Sequence, residues 1–194
     1  MDGAETARRP RADAERNRNT LMQAAKSAFT EVGPEVSLEE IARRAGVGIG
    51  TLYRHFPTRG AIVQAVYRRE VQQLAASSRQ LLESLPPVEA LRAWMRVFVE
   101  YIATKRIISP ALNALATKSE LFAASGELMT AAITLLVDNA AASGEIRPDV
   151  DALDLLYALA GLSNVTADAG WEQRAMRLID VLIAGIRQDR TQRE

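Results

Sequence analysis

The sequence predicts an all-α fold of about nine helices, opening with a three-helix unit. Three observations carry that expectation. Apolar residues recur at three- and four-residue spacing along almost the whole chain, Pro and Gly fall between those stretches, and no alternating run reads as a strand. At 194 residues the chain can bury a real core. The polar opening, residues 1–15, mixes Arg with Asp and Glu and is expected to be a flexible arm rather than a secretion signal. From Asn17 onward, Leu21, Ala24, Ala25, Ala28, Phe29 and Val32 mark one face of an amphipathic helix that should stop at Gly33-Pro34. Ser37 can cap a second helix while Glu40 reaches back to close a capping box, and Leu38, Ile41, Ala42 and Ala45 form its apolar side. A short third helix runs from Ile49 to His55 and ends near Phe56-Pro57. Thr58 then caps a long helix to about Leu85, stopped by Pro86-Pro87. Further helices are expected at 88–105, 110–117, 119–143, 149–168 and 171–190, with breaks at Ser143-Gly144, Pro148 and Gly170.

The formal net charge is zero, so there is no global basic signal for nucleic acid. Residues 1–85 hold 13 Lys and Arg against 10 Asp and Glu, whereas 86–194 hold 11 against 14. Any polyanion contact therefore belongs in the first part. Cysteine is absent, which excludes disulfides and thiolate metal sites and fits a reducing cytoplasm. No uninterrupted apolar run reaches the roughly 18 residues of a membrane span. A cytoplasmic protein without membrane contact is expected.

The densest chemistry lies in "AGVGIGTLYRHFPTR", residues 45–59, which holds three glycines, the only histidine and two of the ten aromatic residues. A tight "AGVG" turn between two helices, with a third behind, is the helix-turn-helix arrangement. The second helix of such a pair lies in the major groove of DNA, and its N-terminal residues meet the base edges. Leu52 and Phe56, one turn apart, should face inward against Ile41, Ala45 and Val47; Tyr53 and His55 cannot share that face. Ile49, Gly50 and Thr51 lie in the first turn, where unpaired amides favour a phosphate. Other chemistries fit less well. A nucleotide loop lacks its Lys-Ser/Thr and its preceding strand. A metal at His55 finds no second His or Cys. A catalytic Tyr53–His55 pair has no evident nucleophile. No metal or cofactor is expected. His55 could equally be a partly packed helix end, Arg44 a solvated charge, and Arg8, Arg9 and Arg11 a solubilising tail.

The stretch "LMQAAKSAFTEVGPEVSLEEIARRAGVGIGTLYRHFPTRGAIVQAV", Leu21 to Val66, resembles the DNA-binding domain of the TetR family of transcriptional regulators. The resemblance rests on the alanine-rich first helix ending in "AFTEVG", then "SLEEIARRAGV", then "GTLYRHFPTR". It implies a helix-turn-helix DNA-binding domain over residues 16–60 and a helical ligand-binding and dimerisation domain over 61–194. It also implies roles. Ser37 with its neighbouring amides, Tyr53, His55, Thr58 and Arg59 would hold phosphates, and Arg44, Ile49, Gly50 and Thr51 would face the major groove. Two positions depart from the family pattern. Gly48, within the same surface, stands where the family commonly has Ser or Thr, which removes a cap. Gly60 stands where many members carry an acid, which weakens the first turn of the fourth helix. The stretch from Ser119 to Leu162 is similar to one branch of the family's C-terminal domain and names no ligand.

Apolar residues of the middle helices are either ordinary core or, as the resemblance implies, the walls of a cavity. Tyr67, Trp94, Phe98, Tyr101, Phe122 and Met129 would then favour an apolar or aromatic effector, with Arg96, Lys105 or Arg106 available for an acid group. The last two helices are apolar on two sides, and a helix of that kind must be buried twice. Leu153, Leu156, Tyr157 and Ala160, with Ile179, Leu182, Ile183 and Ile186, would form a four-helix interface in a homodimer. The expected function is a ligand-responsive regulator, a repressor whose dimer occupies double-stranded DNA at an inverted-repeat operator, with no enzymatic activity. One rival is a helical carrier or enzyme, which would need converging carboxylates or histidines that the sequence does not supply. The other is a protein-interaction module with an inactive DNA head.

Overall fold

Caps and glycines set where the helices begin and end. A computed structural model describes residues 4–162 and 170–188, with side chains for 13–161 and 170–188. Among the described residues there are eight helices: α1 (Ala4–Val32), α2 (Leu38–Arg44), α3 (Ile49–His55), α4 (Arg59–Ser84), α5 (Pro87–Asn113), α6 (Lys118–Ala142), α7 (Ala152–Leu162) and α8 (Trp171–Ile186). The all-α expectation holds.

α1 begins at Ala4, so the segment expected to be an arm continues the first helix. "AETARR" and "RADAER" consist largely of good helix formers, which favours that extension. The side chains of Arg8, Arg9 and Arg11 lie outside the described residues. α1 stops where Gly33 takes φ +107°, with its amide bonded to the Phe29 carbonyl at 3.0 Å. Ser37 caps α2 by accepting from the Glu40 amide at 3.1 Å. The expected capping box is only half formed, because the Glu40 carboxylate holds Arg43 and Arg44. Gly46, at φ +68°, makes the turn into α3. Gly48 caps α3 without a side-chain bond. Thr58 Oγ1 accepts from the Ala61 amide at 3.1 Å and starts α4.

The helices expected at 88–105 and 110–117 are one helix, α5, with Pro110 inside it. A proline costs one backbone bond and some strain. Ile108 and Leu112, both fully buried, hold the chain helical on either side of it. That merger explains eight helices in place of nine. By length and composition α6 could cross a bilayer. Its buried residues, from Leu121 through Ser125, Met129, Ile133 and Leu136 to Ala140, recur on one face, as in a core helix. The far end of the helix expected at 149–168 falls outside the described residues. α8 ends at Ile186, short of the expected 190, because the chain turns into an isolated antiparallel bridge between Ile146 and Arg187.

The chain divides into two units. The first takes residues up to Arg69 together with Ile107–Lys118; the second takes Glu70–Arg106 and the residues from Ser119. The division falls inside α4, and α5 contributes to both units. Gly60 shows how closely 107–118 joins the first unit: a Cβ there would lie 2.9 Å from Leu115 Cδ2. The missing acid at this position leaves room for that leucine. The first core contains Leu21, Phe29, Ile41, Leu52, Phe56 and Ile62, all buried. In the second, Trp94 is fully buried and its Nε1 donates to the Leu74 carbonyl at 2.8 Å.

Candidate nucleic-acid interface

α3 is seven residues long, too short to be stable alone, so its orientation depends on what it buries. Leu52 is fully buried and Phe56 nearly so, as the four-residue spacing requires. The opposite face presents Ile49, Gly50, Tyr53 and Arg54, which span about 140° of the helix circumference at 100° per residue. Tyr53 is 45% exposed and Ile49 36%. Thr51 and His55 are half-buried on the flanks, and the His55 ring lies 6.4 Å from that of Phe56. Gly48 and Gly50 are exposed, with nothing within 4 Å of where a Cβ would stand. A second backbone can therefore come close to both.

Ser37 and Thr58 are exposed at the starts of α2 and α4. Each hydroxyl accepts an amide through its oxygen and keeps its O–H to donate to an external anion. The two arginines expected here are engaged within the protein. Arg44 donates to Glu40 at 2.8 Å and, across to the end of α1, to Glu31 at 2.6 Å. Arg59 donates to the carbonyls of Pro34 and Val36, and its guanidinium lies 6.0 Å from the Phe29 ring centroid. It thereby fastens the loop between α1 and α2. Glu40 takes bonds from both Arg43 and Arg44, and these hold its pKa down at about 2.

Sequence reasoning missed Arg54. It is exposed on α3 and, among the described residues, has no hydrogen-bond or ion-pair partner. Its position was legible, since it follows Gly50 by four and so shares that residue's face. Arg18 also lies close to this helix, with its guanidinium 5.2 Å from the Phe56 ring centroid. No three His, Cys, Asp or Glu converge on a metal position among the described residues.

The residues expected to line a cavity are buried, apart from Phe122. Tyr67 belongs to the first unit and is buried there. In the second unit Trp94, Phe98 and Tyr101 stack along α5 with centroids 5.7 and 5.6 Å apart, and Met129 is also buried. Phe122 is half-buried under the Lys105 ammonium, 5.1 Å above its ring, where burial lowers the lysine pKa. Arg106 lies 5.0 Å from the Trp171 ring centroid, whereas Arg96 reaches the surface carboxylate of Asp180 at 3.4 Å.

Of the residues expected at a dimer surface, Leu156, Ile179, Ile183 and Ile186 are buried within the second unit itself. Ala160 and Leu182 are half-buried, and Leu153 and Tyr157 are exposed. On α8 the large exposed apolar residues are Leu178 and Val181.

Comparison with known proteins gives concordant matches. The family model described as "Bacterial regulatory proteins, tetR family" matches residues 21–66, and the one described as "Transcriptional regulator SbtR-like, C-terminal domain" matches residues 86–188. A TetR transcriptional regulator of Streptomyces coelicolor has a similar solved structure, with 44% identity, 88% of this chain and 98% of that one covered, and a TM-score of 0.79. A TetR transcription regulatory protein of Mycobacterium vanbaalenii has 33% identity, with 92% of this chain and 99% of that one covered, at a TM-score of 0.76. An HTH-type transcriptional regulator of Staphylococcus aureus is 30% identical over 103 residues, which is 53% of this chain and 54% of the relative. The chain thus spans about half the length of the curated relatives it matches.

Proposed function

The chain belongs to the TetR family of bacterial transcriptional regulators, and on that premise we propose that its dimer represses from an inverted-repeat operator and releases it when a small apolar or aromatic effector binds. The observation that carries the DNA part is the exposed face of α3, held outward by Leu52 and Phe56. Ile49, Gly50 and Thr51 enter the major groove, with Gly48 letting the backbone approach. Ser37, Tyr53, His55 and Thr58 hold phosphates, joined by Arg54. Arg59 acts through the loop it fastens. Arg44 reads a base only after exchanging Glu31 and Glu40 for the duplex, so its substitution relaxes sequence preference more than it weakens non-specific binding.

Dimerisation supplies the second reading head. Leu153 and Tyr157 on α7, with Leu178 and Val181 on α8, leave two apolar stripes in water; Tyr157 is 69% exposed and Val181 65%. Gly161 and Gly185, with open space at their Cβ positions, allow a copy's helices to approach. Two heads related by a two-fold axis meet half-sites about 34–36 Å apart. No cofactor takes part, and the site of action is the cytoplasm.

Selection from a random duplex library at moderate salt tests the reading: it should enrich an inverted repeat, and a pool without one would overturn it. On the selected duplex, replacing Thr51 and Tyr53 together with Ala should weaken binding at least tenfold, about 1.4 kcal/mol, with the dimer intact by light scattering. Unchanged affinity would remove α3 from the interface.

A further inference from the structure

A groove of about 510 Å³ runs between the second half of α4 and the middle of α6, wholly within the second unit. It contains none of the aromatic residues singled out from the sequence. Leu128 and Leu135 of α6 and alanines of both helices form its apolar walls, and Gln72, Arg79 and Gln80 of α4 supply its polar groups. No carboxylate lines it. We propose that this groove binds a small amphipathic carboxylate, with its acid group on Arg79 and its apolar body along the alanines toward Gln72. The inference rests on the reading that the second unit takes a small molecule, and it adds an acid head group that the apolar or aromatic class of the proposed function lacks.

Charge decides the head group. Arg79 is exposed and, among the described residues, has no ion pair or hydrogen bond within the protein. Its planar guanidinium fork matches a carboxylate in two parallel bonds. The side-chain amides of Gln72 and Gln80 are likewise without protein partners among the described residues. The Ser78 hydroxyl, by contrast, already donates to the Ala75 carbonyl at 2.7 Å. Geometry decides the body. Gln72 and Arg79 lie seven residues apart on one face of α4, about 10 Å along the helix, with Ala75 and Ala76 between them. That places polar groups at both ends of an apolar trough, as in small-molecule sites of this volume. A second copy of the chain has a more apolar surface available on α7 and α8, where Tyr157 and Val181 are more exposed than Leu128 at 43%.

Titration calorimetry on the full chain without DNA, using octanoate and 1-octanol as probes, tests the assignment. Octanoate should bind once per chain and at least fivefold tighter than octanol. Arg79→Met should weaken octanoate at least fivefold and leave octanol unchanged, and Arg79→Lys should restore part of the difference. Failure of octanoate to bind, equal affinity for the two probes, or an unaffected Arg79→Met variant would overturn the proposal. So would conversion of a dimer to a monomer by Leu128→Glu, because the groove would then be an interface between copies. Because this binding is read without DNA, its failure leaves the operator selection standing, and a failed selection leaves the groove standing.

Discussion

The two units of this chain hold their shape by different means. In the first, α2 and α3 have seven residues each, below the length at which a helix persists alone. Single side chains hold them: the Ser37 cap, the Gly46 turn, the Arg59 clamp on two carbonyls, and the anchors Ile41, Leu52 and Phe56. In the second, α6 alone has 25 residues, and its burial is spread over four or more turns of one face. Concentrated support gives a surface whose orientation depends on few residues. Distributed support gives a core that tolerates change and grooves whose chemistry carries few marks.

Removing a single anchor from each unit tests that contrast most strongly. Leu52→Ala should destabilise the first unit by about 2–5 kcal/mol, as for a fully buried leucine, and abolish duplex binding. Urea unfolding followed by circular dichroism would read it, and a loss below about 1 kcal/mol would mean that α3 is held by something else. Trp94→Phe should cost less, about 1–3 kcal/mol, although Trp94 is the larger of the two buried side chains. The Leu74 carbonyl it abandons still accepts from Ser77 Oγ at 2.8 Å, so no buried acceptor is left unpaired. If Trp94→Phe proved the costlier change, the contrast between concentrated and distributed support would fail.

The same contrast explains what could be read in advance. Caps, glycine turns and the Leu52–Phe56 spacing are local, so the helices of the first unit and the outward face of α3 were legible. Pro110 misled because a local stop signal lost to the burial of Ile108 and Leu112, which no local pattern announces. The engagement of Arg44 by Glu31 was hidden for a similar reason: the two are 13 residues apart and meet only when α2 packs on α1. In the second unit the buried aromatic residues Trp94, Phe98 and Tyr101 fit both of the sequence's readings, ordinary core and cavity wall, because burial is common to the two. The groove between α4 and α6 is walled mainly by alanines and leucines, which look like any helix face in sequence.

Smaller effects sharpen the account of the first unit. Ser37→Ala removes the acceptor for the Glu40 amide and should cost about 1 kcal/mol by thermal or urea unfolding. No change would mean that α2 is started by its contacts and not by its cap.

The smallest effect is electrostatic. Arg43 and Arg44 both donate to Glu40 and lower its pKa to about 2. A carboxyl depressed on folding stabilises the folded state above the unfolded pKa, in the usual carboxylate range, and loses that contribution as pH falls toward 2. The cluster lies at the surface, with Arg43 exposed and Glu40 and Arg44 half-buried, so the effect on overall stability is slight and salt-sensitive. The titration itself is the sharper measurement. Carbon-detected NMR of the Glu40 carboxyl should show no midpoint between pH 4 and 5, and Arg44→Met should move the midpoint upward only in part, because Arg43 still holds both oxygens. A midpoint in the ordinary carboxylate range in the unaltered protein would mean that neither Arg43 nor Arg44 holds Glu40 in solution. On the proposed reading Arg44 would then have only Glu31 to leave before meeting a base, and the charged part of the first unit would be more loosely held than its anchored helices.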